Sequence, residues 1–415
     1  MSDDDNTGGS LLDGISGAGD NVTEVTSKSW FERILDSIKG ILIGLVLVVV
    51  SCVLMFWNEG RSAQTAAALA EGAGAVVSVS STQVDPAQEG KLIHVASDVT
   101  LGQAARDTDF GFEAKGLRLA RKVEMFQWKE ESHSETQKKL GGGEETITRY
   151  TYTKEWSDRA VDSTRFRSAQ DHRNPAMPAV SSRSFVPADV KLGAYRLDDR
   201  IIQMLSGGEK FAAPDTILAQ ARSRLGQRAQ VQQGDVYVGA NPDQPAVGDV
   251  RVSWEVLPAT PVSVVGRQTQ SGFSPWLAKN GNEILIAEKG IVDPALMFKH
   301  EQEGNRVLTW ILRLVGVVLM FIGFRVMLSL LEVLADVIPF IGNIVGAGAS
   351  LVSLLATVSL APLVIAIAWF VYRPVVAIAV LVVGGGLAYG LRTLMHRKVS
   401  AASAPTGHLS GGAPG

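Results

Sequence analysis

Apolar residues fall in two blocks, and the chain between them alternates. The first block, Gly40 to Trp57, holds eighteen positions without a charge and closes in Trp57-Asn58-Glu59-Gly60-Arg61. As a helix it covers about 27 Å, enough for the hydrocarbon core of a bilayer. Residues 40–57 are therefore read as transmembrane helix 1. A signal-peptide core fits poorly, because such a core is shorter, lies nearer the N-terminus and precedes a small-residue cleavage site that is missing here. The second block runs from Val307 almost to Leu391. Charges at Arg313, Arg325, Glu332, Asp336 and Arg373, with Pro339, Pro362 and Pro374, divide it into helices at 307–330, 343–371 and 374–391.

The fold class expected is a multi-pass membrane protein: four transmembrane α-helices plus a large β-rich α+β extramembrane domain, residues 58–305, inserted between helices one and two. That domain has no apolar run long enough to cross a bilayer. Val250, Val252, Trp254 and Val256 alternate with Arg251, Ser253 and Glu255 as on a half-buried strand. Phe126 and Trp128, a polar Gly-rich tip from Ser132 to Glu145, then Tyr150, Tyr152 and Trp156 predict a long hairpin with an aromatic face. Further strands are expected at Lys91–Val95, Gly234–Val238, Val262–Arg267 and Glu283–Ala287, and helices at Pro187–Leu205, Asp215–Leu225 and from Asp293-Pro294, an N-cap followed by a proline at the first helical position.

The ends carry less pattern. Residues 1–27 are rich in Gly, Ser, Asp and Asn and read as a disordered cytoplasmic tail. In 28–39, Trp30, Phe31, Ile34, Leu35 and Ile38 recur at helical spacing, which predicts an interfacial amphipathic helix, with a plain extension of helix 1 as the other reading. Residues 392–415 read as a second cytoplasmic tail. Lys28, Arg33 and Lys39 precede the first span and Arg392, Arg397 and Lys398 follow the last, so both termini are assigned to the cytoplasm and the domain to the other side.

Composition narrows the chemistry. The chain has 415 residues, 46% hydrophobic and 20% charged, a balance that fits part membrane and part aqueous domain. A net charge of −3 without a basic, aromatic-interleaved stripe gives no nucleic-acid partner. The single cysteine, Cys52, lies within the first span, so the domain has neither a disulfide nor a cysteine metal site. Hydrolase, zinc-protease and nucleotide-loop motifs are missing, and no cofactor is implied. His94, His133, His172 and His300 are scattered. The His172-Arg173-Asn174-Pro175 run is the most site-like, though a structural turn explains it more simply.

Several strings, in their order along the chain, resemble the LUMA family, also called the transmembrane protein forty-three family. They are Asn58-Glu59-Gly60-Arg61, Leu69-Ala70-Glu71-Gly72, Glu89-Gly90-Lys91-Leu92-Ile93-His94-Val95, Val123-Glu124-Met125-Phe126-Gln127-Trp128, Thr148-Arg149-Tyr150-Thr151-Tyr152, Val247-Gly248-Asp249-Val250-Arg251-Val252-Ser253, Thr309-Trp310 with Arg313, and Tyr372-Arg373-Pro374. The resemblance covers roughly residues 30–397. It implies four spans, a large non-cytoplasmic domain and no established enzymatic activity. In animals it implies the endoplasmic reticulum and inner nuclear membrane, self-association, and emerin and lamins as partners. In a bacterium it implies the cell membrane and no lamina.

The candidate residues are structural. Glu59 and Arg61 stand where the first span leaves the bilayer, with Arg313 as partner at similar depth. Only eleven residues separate Arg313 from Arg325, about 16 Å of helix, so one arginine must sit in the apolar zone. Arg313 is placed near the outer headgroups beside Trp310, and Arg325 toward the cytoplasm. Glu332 and Asp336 are one turn apart, within reach of Arg325. Gly342, Gly346 and Ser350, and then Gly386 and Gly390, provide small faces for helix packing and self-association. Two functions follow: a membrane scaffold that binds lipids, further copies and membrane or envelope proteins, or a homo-oligomeric transporter, channel or lipid-binding subunit.

Overall fold

The computed structural model describes residues 13–16, 21–384, 386 and 389. Its α-helices include α1 (Trp30–Ala75), α2 (Asp199–Met204), α3 (Leu218–Leu225), α4 (Pro294–Ala335) and α5 (Pro339–Tyr372). Among the described residues α1, α4 and α5 are long and apolar enough to cross a membrane, and a shorter apolar helix follows at Pro374–Gly384. The rest of the fourth expected span, with Gly390 and the 392–415 tail, lies outside the described residues, as do residues 1–12 and 17–20.

Two of the long helices, α1 and α4, outrun their apolar segments. The 46 residues of α1 make about 69 Å of helix. Residues 28–39 are therefore no separate interfacial helix: Ser29 caps α1 in a reciprocal box with Glu32, and the helix continues unbroken through the span. It also continues past Trp57 to Ala75, so residues 58–75 are helix and not part of the β domain as the sequence suggested. At the far end Asp293 caps α4 through Ala295, with Pro294 in the first turn as expected. Small residues set the seam between α1 and α4. A Cβ on Gly44 would lie 2.5 Å from the Gly323 carbonyl, and one on Gly316 would lie 2.4 Å from Met55. The side chains of Met55, Met320 and Ala361 close the middle of the three-helix bundle.

The domain is built on a nine-stranded sheet among the described residues. Its spine runs Asp13–Ser16, Asn21–Lys28, Glu144–Ser157, Arg118–Lys138, Val250–Leu257, Asp235–Val238 and Ala229–Gln232. A five-stranded sheet centred on Val262–Thr269 and Leu92–Ser97 packs beside it. Trp254, Phe110 and Met125 lie in one core, and Ile93, Leu192, Tyr195 and Ile201 in the next. Trp254 also donates its indole N–H to Asp107 at 3.0 Å, while Asp107 accepts from buried Arg121 at 2.8 Å.

Three further expectations change. The helix expected at Pro187–Leu205 is instead a hairpin, Val190–Leu192 with Tyr195–Leu197, followed by only the short α2. Gly193, at φ +61°, makes its turn, and a Cβ there would meet the Ser81 carbonyl at 2.1 Å. The long hairpin has a shorter tip and longer legs than its polar sequence suggests. Pairing continues from Met125↔Ser157 to Lys138↔Glu144, since Ser134 and Thr136 bond Thr148 and Thr146 across the ladder at 2.9 Å. This long hairpin is the arm of the domain. Lastly, residues 21–28 are no disordered tail: they form a third strand of the arm, paired from Asn21↔Thr151 to Lys28↔Glu144. Residues 21–28 and 144–151 thus belong to one sheet, whereas the sequence reading set 1–27 and 58–305 on opposite sides of a membrane.

Candidate functional site

Two polar clusters bracket the apolar part of the bundle. At the domain end, Glu59 is buried and accepts from Arg313 twice, Nε at 2.6 Å and Nη2 at 2.9 Å, and from the Trp369 indole at 2.8 Å. The Arg313 guanidinium lies 4.7 Å from the Trp310 ring centre. One carboxylate thus joins α1, α4 and α5. Arg61, grouped with Glu59 from the sequence, takes neutral partners instead: Asn305 Oδ1 at 3.0 Å, Thr309 Oγ1 at 3.2 Å and Asn58 Oδ1 at 3.3 Å. Above them a cleft of about 400 Å³ opens between α1, α4 and Arg373.

At the other end the tip of the arm docks on the bundle. Arg33 donates to Asp336 at 2.6 Å, to the Gly142 carbonyl at 2.5 Å, and pairs with Glu144 at 3.0 Å. Lys138 bridges Asp336 at 2.8 Å and Glu332 at 2.7 Å. Arg325 pairs with Glu332 and donates to Ser350 at 3.0 Å. Trp30 donates to the Val333 carbonyl at 2.8 Å and covers the tip at Gly142, where φ is +83° and a Cβ would lie 2.3 Å from the indole. Gly142 is the one position where the tip has no room for a side chain and needs a left-handed backbone as well.

The small residues of α5 face these charges. A Cβ on Gly346 would lie 2.7 Å from the Glu332 carboxyl carbon, and one on Gly342 would lie 1.7 Å from an Asp336 oxygen. Gly342, Gly346 and Ser350 thus make space and hydrogen bonds for the ion pairs within one copy. A Cβ on Gly386 would meet nothing within 4 Å among the described residues. Sequence reasoning reached Glu59 with Arg313 and Arg325 with Glu332. It did not reach Arg33 or Lys138 as the partners of Asp336, nor Gly40, Gly44, Gly316 and Gly323 in the α1–α4 seam. The spacing of Gly40, Gly44 and Val48 was a usable signal for the seam.

The arm is pinned at its base. Asn174 receives the Trp128 N–H at 2.7 Å and donates to the Trp128 carbonyl at 2.9 Å. The His172 ring stacks on Tyr152 at 3.6 Å between centres and meets Trp128 edge-on. Burial, with the hydrogen bond to Glu130, pushes the Tyr152 hydroxyl up to about 12. The His172–Pro175 run is accordingly a packed support for the arm. Among the described residues no group of three or more His, Cys, Asp or Glu is placed to hold a metal.

Comparison with known proteins settles the kinship. The family model described as Transmembrane protein 43 matches residues 125–374, from the base of the arm to the end of α5. Transmembrane protein 43 of Mus musculus is 32% identical over 365 residues, covering 85% of this chain and 89% of its own. The chain belongs to the transmembrane protein 43 family. The Homo sapiens member is 31% identical over 367 residues, with the same coverage of each chain. The Drosophila melanogaster homolog is 27% identical over 350 residues, covering 83% of this chain and 91% of its own. No solved structure matches the chain. Both polar clusters draw on residues inside the matched region, Arg313 and Trp369 at one end and Lys138, Glu332 and Asp336 at the other.

Proposed function

We propose that this transmembrane protein 43 family member is a non-enzymatic membrane scaffold whose copies associate so that their arms face one another, leaving the β domain to bind membrane or envelope proteins. The observation that carries this reading is the reach of the arm. The body of the domain holds α1 at Gln64 and Glu71, through Asn280 and Lys279. Its arm tip holds the same helix at Arg33. The two attachments are 31 residues apart, about 46 Å of helix, and the uncharged run 40–57 lies between them. A bundle that crosses a bilayer therefore brings the arm to the level of the lipid.

The legs of the arm are unsuited to lipid. They carry Lys129, Glu131, Glu135, Arg149 and Lys154, and a charged group at the bilayer centre costs roughly 2.5–3.5 kcal/mol. Several such groups outweigh the few kilocalories gained at the tip. Shielding by further copies, with water between the arms, removes that cost. The same packing favours the second reading, a homo-oligomeric channel, because it would enclose a polar interior.

Cross-linking mass spectrometry on membranes holding mixed light- and heavy-isotope copies tests the proposal. Mixed-isotope links through Lys129, Lys138, Lys139 or Lys154, together with reproducible links from the domain to one or two membrane proteins, are expected. Links confined to single copies contradict it. Mixed-isotope links without any other partner, joined to ion flux in liposomes, support the channel.

A further inference from the structure

The cleft at the domain end of the bundle has a charge imbalance that the helix pairing leaves open. It is lined by Ser62 on α1, by Asn305, Arg306, Thr309 and Arg313 on α4, and by Arg373 at the end of α5, and among the described residues no acidic side chain lines it. Arg313 is matched by Glu59. The other guanidinium groups are not matched by any carboxylate within ion-pair distance among the described residues. Arg61, behind Asn305 and Thr309, has only the neutral partners given above, and its Nε is buried with no hydrogen-bond partner. Arg373 makes one long contact, 3.4 Å to the Ser62 hydroxyl. Arg306 is exposed and unpaired, while Glu303, on the same helix, pairs with Lys299.

Four guanidinium groups, of Arg61, Arg306, Arg313 and Arg373, thus lie in or behind the cleft, and only that of Arg313 is paired with a carboxylate among the described residues. Arginine is suited to phosphate, because its planar fork donates two parallel hydrogen bonds to neighbouring oxygens. The depth also fits a headgroup. Trp57 and Trp310, both largely exposed, mark the aromatic belt at this end. Below Trp310 the outer face of α4 continues as exposed Leu314 and Val318, a surface for an acyl chain.

We propose that this cleft binds the phosphate of an anionic phospholipid headgroup, held by Arg306 and Arg373 with Arg61 behind them. The site does not depend on association between copies. A soluble phosphate would meet the same donors, so the test separates the two sources. Native mass spectrometry of the full-length protein, released from detergent micelles, is run with phosphatidylglycerol, with phosphatidylcholine and with inorganic phosphate. The expected result is a phosphatidylglycerol adduct that is preferred over phosphatidylcholine and survives millimolar phosphate. In R306Q/R373Q the phosphatidylglycerol affinity falls about tenfold or more, the factor for losing one charge-assisted hydrogen bond. In K299Q, outside the cleft, it is unchanged. An unchanged melting temperature in detergent shows that the double variant is folded. Displacement of the lipid by phosphate, with phosphate bound in its place, overturns the lipid assignment. Equal binding of the two lipids, or a double variant that keeps the preference, overturns the site.

Discussion

Arg33, in the first turn of α1, donates to Asp336, at the end of α4, across 2.6 Å, and both side chains are almost wholly buried. Neither residue belongs to the β domain, yet the domain completes their site: Lys138 reaches Asp336 from the arm at 2.8 Å, and Glu144 reaches Arg33 at 3.0 Å. The bundle end and the arm tip therefore form one unit.

Removing the Asp336 charge leaves Arg33 and Lys138 without their shared acceptor in a buried site. Breaking a buried ion pair from one side costs about 3–5 kcal/mol. The D336N protein is expected to melt at clearly lower temperature in detergent, and limited proteolysis is expected to cut first between residues 130 and 150. The same proteolysis pattern in D336N and wild type would show that the ion pairs do not hold the tip.

The α1–α4 seam is sensitive to size and the outer face of α5 is not. In G44V the added branches meet the Gly323 carbonyl, 2.5 Å from where even a Cβ would sit. Overpacking costs about 1–3 kcal/mol. Among the described residues a Cβ on Gly348 would meet nothing within 4 Å, so G348A replaces a helical glycine in open space and gains about 0.5–1 kcal/mol. Melting temperatures of the two variants should move in opposite directions. A G44V protein as stable as wild type would contradict the close approach.

Much of this was legible in the residues, and what was not has a common cause. Charge interruptions and capping marked the helices, and alternation marked Val250–Leu257, because both signals are local. The strand at Asn21–Lys28 was missed since its Thr, Ser, Asn and Glu are ordinary tail residues. It is ordered by a partner more than a hundred positions away, Glu144–Thr151. The Gly342 and Gly346 stripe was recognised as a close-packing face, but spacing alone does not say what approaches it. Here carboxylates approach it from α4. The Pro187–Leu205 reading failed at Gly193, where a left-handed turn overrides helical spacing.

His94 gives the domain a pH dependence. Its ring is buried, with Nε2 donating to the Val292 carbonyl at 3.0 Å and Nδ1 accepting from Ser78 at 3.2 Å. Burial holds its pKa below the ordinary histidine value, against the opposing pull of the Val292 carbonyl and Asp293. The native form is neutral. As pH falls from about 7 through the ordinary histidine range near 6.5, the unfolded chain takes up a proton that the folded chain refuses, so stability falls. Thermal melts of wild type and H94Q between pH 7.5 and 5.5 should show a steeper decline in wild type. Parallel slopes would assign the dependence to other groups.

The strand before α1 and the arm of the domain share one sheet. The most direct measurement places cysteines at the paired positions Thr26 and Thr146 in a C52A background and oxidises intact membranes. Cross-strand partners lie about 4.5–5.5 Å apart between Cα atoms, within disulfide range. An efficient T26C–T146C disulfide is expected, with little from T26C paired to the control S271C. Two free thiols, labelled from opposite sides of the membrane by an impermeant reagent, would contradict it.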